Sequence, residues 1–244
     1  MSSTPAELGL AFRPRPWPTL ATLLGLVVLV GLGTWQLQRL SWKQEVIGHA
    51  EAQLAAPAAA LPVGDLAGMD FRRVAAAGTY LHEAAFAFGF LAEGGRPGAR
   101  LVTPFRLEDG RVILVDRGWL PEELLPPALP PVLQPAGTRT LEGVARWRGD
   151  FRRGWLTPAD APGQRRWYGW DVPAMAAALD LPLEPLVLML ERPDGPEGWP
   201  KAVPVTIDLP NDHLSYAMTW YGLAVVLLAV YIVFSLTNPR PVRP

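Results

Sequence analysis

Few side chains in this sequence could do chemistry, and they exclude more than they suggest. There are three histidines, His49, His82 and His213, and no cysteine. Thiol catalysis, disulfides and thiolate metal sites are therefore ruled out. No GxSxG elbow, Walker loop, GxGxxG turn or HExxH pair occurs, so neither a nucleophile–base pair nor a nucleotide loop is predicted and the expectation is a protein that is not an enzyme. Asp116-Arg117, at the end of a predicted strand, could hold a substrate. The commoner explanation for such neighbours is an ion pair at a sheet edge. Arg146, Arg148, Arg152, Arg153, Arg165 and Arg166 are interleaved with Trp147, Phe151, Trp155, Trp167 and Trp170. That run could grip an acidic partner surface, lipid headgroups or the propionates of a porphyrin. It reads equally as a solvated face with snorkelling arginines.

His213 is the residue to single out, because it stands immediately before an apolar segment, in Asn211-Asp212-His213-Leu214. Tyr216 and Trp220 follow at i+3 and i+7, which places both on the same helix face as the imidazole. A neutral imidazole at a membrane surface beside two aromatic rings could serve as axial ligand to a haem lying against the helix. The plainer reading makes His213 an interfacial polar residue, with Asp212 or Asn211 as the helix cap. His49 and His82 fall inside the central domain and are not nominated.

The elements that must position these residues begin with two long apolar runs. Residues 17–38 carry no charged side chain between Arg15 and Arg39, and at about 1.5 Å per residue they reach roughly 33 Å, enough to cross the hydrocarbon core. Trp17 and Trp35 sit where an interfacial aromatic belt would be, and Pro18 falls in the first turn, where its missing N–H does no harm. The run is too long for a cleaved signal peptide and no small-x-small site follows it, so an uncleaved anchor is expected. A second uncharged run covers residues 213–237, with Tyr216, Trp220 and Tyr221 at its start and Asn238-Pro239 at its end. Nothing between the two runs is long enough to span, so both termini are expected on one side. Arg13, Arg15, Arg240 and Arg243 flank the tails, against Arg39, Lys43 and Lys201 on the domain side. That count leans toward cytoplasmic tails at 1–16 and 238–244 and a periplasmic domain at 39–212. The composition agrees with a chain partly in lipid: only 18% of residues are charged and 50% are hydrophobic. A net charge of −1 gives the whole molecule no reason to seek nucleic acid.

Between the spans, residues 39–54 continue the helical pattern and 55–68 read as an Ala/Pro/Gly linker. Strands are predicted at Phe71–Tyr80, Ala85–Leu91, Leu101–Leu107, Arg111–Trp119, Thr140–Trp147, Leu186–Leu190 and Val203–Ile207. Glu108-Asp109-Gly110 marks a hairpin between the third and fourth. A Pro-rich stretch, Pro121–Pro135, interrupts the pattern, and Asp171 is placed to cap a short helix that Leu181-Pro182 ends. The fold class is α+β, a mostly antiparallel or barrel-like β domain with short helices between N- and C-terminal transmembrane helices.

Four segments, in order along the chain, resemble the Surfeit-locus (SURF) family of cytochrome c oxidase assembly proteins. They are Gly33-Thr34-Trp35-Gln36-Leu37-Gln38-Arg39 with Trp42-Lys43, Phe71-Arg72 to Gly78-Thr79-Tyr80, Val102-Thr103-Pro104-Phe105 with Val115-Asp116-Arg117-Gly118-Trp119-Leu120-Pro121, and the run from Asn211 to Ala224. The resemblance implies a non-enzymatic assembly factor that assists haem a insertion into the oxidase catalytic subunit. It implies a bacterial inner-membrane location, since no transit peptide is seen before the first span, with haem a synthase and other assembly factors as further partners beside the lipid bilayer. A histidine at the start of the second span is associated with transient haem binding in bacterial members, and that role carries over to His213, with Tyr216 and Trp220 beside it. The sequence departs from the family's pattern in its Pro-rich insert and in Asp212, where Asn is the usual neighbour. A scaffold that steadies the catalytic subunit without ever ligating haem is the alternative reading.

Overall fold

A computed structural model describes residues 11–64, 66–148, 154–207 and 211–237. Most of both tails lies outside the described residues, including Arg240 and Arg243, as do Phe151, Arg152 and Arg153 of the arginine run. In chain order the elements are β1 (Ala11–Phe12), α1 (Pro16–Ala55), β2 (Ala59–Ala60), β3 (Arg73–Tyr80), β4 (Phe86–Phe88), β5 (Gly98–Leu107), β6 (Val112–Pro121), β7 (Arg139–Trp147), β8 (Arg166–Trp167), α2 (Val172–Leu179), β9 (Leu183–Leu190), α3 (His213–Ser235) and β10 (Leu236–Thr237). The chain divides into two compact units, Met1–Ile47 with Asp208–Pro244, and Gly48–Ile207.

In the first unit, α1 and α3 are each long and apolar enough to cross a membrane, and only 11% of the apolar window of either is buried. Leu23, Leu24, Val27 and Val28 on α1, and Val225, Val226, Val230 and Val233 on α3, face outward. Water would penalise that much exposed apolar surface and lipid does not, which distinguishes these helices from the core helices of a soluble protein. α1 runs for 40 residues without a break, so the expected helical continuation past the first span is present.

The second unit is built around a closed barrel. Strands β3, β7, β9, β6 and β5 are hydrogen-bonded in that order, and β3 pairs again with β5 to close the ring. Only β6 and β9 within the ring run parallel; its other pairings are antiparallel. The barrel-like alternative is thus the one adopted, and closure leaves its five strands without a free edge. Closure occurs at Gly78, which faces Arg139 on β7 and Leu107 on β5. A Cβ there would lie 2.1 Å from the Arg106 carbonyl oxygen, so only glycine fits the corner.

Period-2 alternation on β3 turns Val74, Ala76 and Tyr80 inward to meet Phe105, Ile113, Val115, Leu141, Leu186 and Leu188. Each fully buried aliphatic or aromatic side chain of that kind contributes about 1.5–3 kcal/mol. Every residue of β6 is buried, because its outer side is covered as well. Part of the cover is a cluster of Phe86, Val102, Leu114, Trp167, Val172, Met175 and Val187 that seats α2. The rest comes from Leu125, Leu129 and Leu133 of the Pro-rich stretch, which pack on Ala99, Leu101 and Leu120. A strand buried on both faces reads as a continuous apolar run rather than an alternating one. The Asp171 cap is present, its carboxylate accepting from the Ala174 N–H at 3.1 Å. The strand expected at Val203–Ile207 is not formed; its neighbour Lys201 alone bridges to Trp119.

A surface ion pair gives one solution test. Arg73 forks onto Glu191 at 2.8 and 3.0 Å, and this hydrogen bonding, then charge, holds the Glu191 carboxyl below its usual value of 4.5. A carboxyl with a depressed folded-state pKa contributes stability above its unfolded value and loses it as pH falls through the folded one. Glu191→Gln is expected to lower the unfolding midpoint slightly at pH 7, with the deficit shrinking below pH 4.5. A deficit that grows in acid would contradict the assignment.

Candidate functional site

The site begins with how α1 and α3 pack. The helices run antiparallel, because Thr19 near the start of α1 meets Tyr231 near the end of α3, while Gln36 meets His213 at the start of α3. Small residues let the backbones approach: Gly33 on α1, and Ala217 and Ala224 on α3, are buried in the unit. A Cβ on Gly33 would fall 2.8 Å from the Tyr221 ring, and one on Gly25 2.8 Å from Leu227.

Polar contacts then fix the register at three levels. The Thr19 and Thr34 hydroxyls donate to the carbonyls of Arg15 and Val30 at 2.7 and 2.9 Å. Their oxygens are therefore left to accept from the Tyr231 and Tyr221 hydroxyls, at 2.6 and 3.1 Å. In an apolar surround, where water offers no competing partner, such bonds hold one pairing of the helices over its alternatives. Below them β1 pairs with β10, and the Arg15 guanidinium lies 5.3 Å from the Phe234 ring.

The third level is the Gln36–His213 pair. The Gln36 side-chain carbonyl oxygen lies 2.7 Å from His213 Nδ1. A carbonyl can only accept, so Nδ1 carries the proton, and in the neutral ring Nε2 keeps its lone pair. Metal-bound histidines are commonly arranged this way, one ring nitrogen donating to a carbonyl or carboxylate while the other faces the metal. The donor set thus fits an iron ligand. Asp212 occupies the cap position but makes no side-chain capping bond, so it does not serve as the helix cap.

Tyr216 and Trp220 are placed differently about His213. His213 shares a stripe with Ala217 and Ala224, the stripe packed against α1. Tyr216 is turned about 60° away on the helical wheel and is 56% exposed. Trp220 is half-buried. Gln36 is the residue that sequence reading passed over. It stands inside the Gly33–Arg39 motif, but nothing in the sequence pairs it with a histidine on another helix.

The other candidates have structural employment in the second unit. Asp116 and Arg117 do not pair with each other and are not at a sheet edge: β6 lies between β5 and β9, and the two side chains are 1% and 0% exposed. The β5–β6 register shifts between Leu101 and Val102, leaving Arg117 as the extra residue of a β-bulge beside Gly118 at φ +112°. Asp116 accepts from Arg100 Nη1 at 2.7 Å and from the Gly118 N–H at 3.0 Å. Burial nonetheless raises its carboxyl above the ordinary value. Arg117 Nε donates to Asp194 at 2.9 Å and Nη1 to the Leu133 carbonyl at 2.8 Å. Tyr80 donates to the same Asp194 carboxylate at 2.6 Å, and burial, then that carboxylate, pushes the Tyr80 phenol well up. His82 hydrogen-bonds the Pro135 carbonyl and packs on Tyr80, and His49 faces Gln53 on α1.

The arginine run is divided. Arg146 pairs with Asp70, Arg166 pairs with Glu122, Trp167 is core, and Trp155 is 93% exposed. A single solvated face does not describe it.

Comparisons with known proteins agree with the motifs. The SURF1 family signature matches residues 23–225. A SURF1-like protein of Monosiga brevicollis is 38% identical over 219 residues, covering 84% of this chain and 83% of that one. Surfeit locus protein 1 of Homo sapiens is 30% identical over 220 residues, covering 83% and 72%. A SURF1-like protein of the bacterium Rickettsia felis is 28% identical over 224 residues, covering 88% and 95%.

Proposed function

Because the chain belongs to the SURF1 family, the family of oxidase assembly factors that its motifs resemble, we propose that it assists haem a delivery or insertion into the catalytic subunit of a haem–copper cytochrome c oxidase. The observation that carries this reading is the hydrogen bond from His213 Nδ1 to Gln36, which presents Nε2 as an iron ligand at the start of a helix apolar enough to span a membrane. Haem a is cargo here, held in passing and surrendered. His213 Nε2 would donate its lone pair to the haem iron and give up that bond on transfer. Gln36 holds the tautomer, Tyr216 and Trp220 offer flat apolar surface, and Arg39, one turn from Gln36, offers a cation to the carboxylate edge. A single neutral axial ligand suits a carrier, because it leaves the cargo exchangeable. No catalytic role is assigned to any residue.

The same reading places the chain in a bacterial inner membrane with both termini cytoplasmic and the second unit periplasmic, alongside the oxidase catalytic subunit and, in turn, haem a synthase and other assembly factors. Antiparallel α1 and α3 support the shared side of the termini, and the arginines near the tails support the orientation. A C-terminal reporter fusion is expected to be active only as a cytoplasmic reporter; periplasmic activity would reverse the orientation.

Gln36→Leu tests the site without touching the ligand. Loss of a hydrogen bond to a metal-bound histidine weakens binding about 10–100-fold. Titration of the purified chain in detergent with haem a, followed by absorbance, is expected to show that loss against wild type. Equal affinity in Gln36→Leu would remove the assignment. A wild-type chain that takes up no haem a yet co-purifies with oxidase subunits would favour the scaffold reading.

A further inference from the structure

The outward side of α1 carries a continuous stripe. Leu24, Val28, Trp35, Arg39, Trp42 and Val46 follow one another at helical steps of three, four or seven residues, so they share one face, and all of them are exposed. The lower part of the stripe is the lipid-facing surface already described. Its upper part differs in chemistry. Arg39 is the first charged residue after the apolar run, and it lies about 6 Å beyond Trp35 along the axis, where hydrocarbon gives way to headgroups. Its guanidinium sits 4.4 Å from the centre of the Trp42 ring, which steadies the cation and leaves its N–H edge open. Among the described residues Arg39 has no ion pair, and the indole N–H groups of Trp35 and Trp42 have no hydrogen-bond acceptor. The side chains of the stripe thus offer donors and no acceptor.

We infer that Arg39, with the indoles of Trp35 and Trp42, binds the phosphate of one anionic phospholipid whose acyl chains lie down the stripe over Val28 and Leu24. A phosphodiester brings acceptor oxygens to that depth, and the guanidinium fork matches it. The chains then continue onto exposed apolar surface of the same face, which a soluble anion could not use. An ethanolamine headgroup would set its ammonium beside the guanidinium, so a glycerol headgroup is favoured. A partner's transmembrane helix could cover Val28 and Leu24, but it would press apolar side chains on Arg39 and leave a cation and two indole donors without acceptors. The lipid occupies the stripe while the chain carries no cargo, and its binding does not depend on His213.

The test takes the full chain, free of haem, in non-ionic detergent. Phosphatidylglycerol and phosphatidylethanolamine with the same acyl chains are added at equal concentration, and bound lipid is counted by native mass spectrometry. Wild type is expected to retain one phosphatidylglycerol about fivefold more tightly than phosphatidylethanolamine, the factor that a single arginine near a membrane surface supplies. Arg39→Gln should erase that preference, and Trp42→Ala, which removes the ring under the guanidinium, should weaken it. Arg96→Gln, whose arginine forms an exposed pair with Glu123 in the barrel unit, should bind as wild type. Equal retention of the two lipids by wild type overturns the inference, and with it a lipid rather than a partner's helix as the occupant. An undiminished preference in Arg39→Gln overturns it too. Displacement of phosphatidylglycerol by glycerol phosphate at the lipid's own Kd would also overturn it, because the acyl chains would then add nothing. Each of these outcomes leaves the haem titration of Gln36→Leu untouched, so the lipid site and the haem site fail separately.

Discussion

Arg117→Met is expected to lower the unfolding free energy of the barrel unit by about 3–5 kcal/mol, the cost of breaking a buried ion pair from one side. The Arg117 side chain is fully buried and that of Asp194 is 7% exposed. Among the described residues, removing the cation leaves the Asp194 carboxylate with the Tyr80 hydroxyl as its one side-chain hydrogen-bond partner. It also orphans the Leu133 carbonyl and vacates the face of Tyr80, above which the guanidinium sits at 4.7 Å. Four separate segments meet at this one side chain: β3, β6, the Pro-rich stretch and the loop after β9. Chemical denaturation of the full chain, followed by tryptophan fluorescence, measures the loss. Arg166→Met, which breaks a partly exposed pair, is the control and should cost under about 1 kcal/mol. The double change Arg117→Met with Asp194→Leu should recover part of the deficit, because it removes the stranded charge as well. A loss in Arg117→Met no greater than in the control would show that the network carries little of the fold.

Gly33→Leu is expected to abolish haem uptake while leaving the barrel intact. Its first side-chain atom would already meet the Tyr221 ring at 2.8–3.1 Å, and the hydroxyl of that ring is held by Thr34 at 3.1 Å. The ring cannot turn aside without giving up its bond, so the helices must part. Along the same seam Gln36 lies about one turn further on α1, and His213 about two turns from Tyr221 on α3. Overpacking of this kind costs about 1–3 kcal/mol, and separating the pair adds the loss expected for Gln36→Leu. The combined weakening is on the order of a hundredfold or more. Gly31→Leu, on the same helix but with nothing within 4 Å of its added Cβ, should bind normally. Normal binding by Gly33→Leu would show that the site does not depend on the close approach of α1 and α3.

Much of this architecture could be read from the chain because it rests on local signals. Two uncharged apolar runs gave the long helices, period-2 alternation gave β3, Asp-Gly at 109–110 gave the β5–β6 hairpin, and Asp171 with the following Pro gave the short helix and its cap. What escaped were features that depend on distant partners. Closure of β3 on β5 and the parallel β6–β9 pairing leave no local mark. Val203–Ile207 has strand composition but takes no strand pairing; Val205 packs instead against the cluster that seats α2.

The site shows the same division. His213 is recognisable because it abuts an apolar run, whereas Gln36 is far away in sequence and identifiable only once the helices meet. Asp116-Arg117 looked like one ion pair because the residues are adjacent. The bulge at Arg117 instead sends the two side chains to different carboxylate and guanidinium partners. Tyr216 satisfied the spacing rule for a shared face but lies far enough round the helix to open outward.

If His213 presents Nε2 to the iron of haem a, the bond will be visible in the optical spectrum. The chain is to be purified from cells that make haem a, beside His213→Ala, and both spectra recorded oxidised and reduced. A coloured wild-type protein with a ligated haem a spectrum is expected, beside a His213→Ala protein that is colourless or has lost that ligation. A colourless wild type, or a His213→Ala protein with an unchanged spectrum, would contradict it.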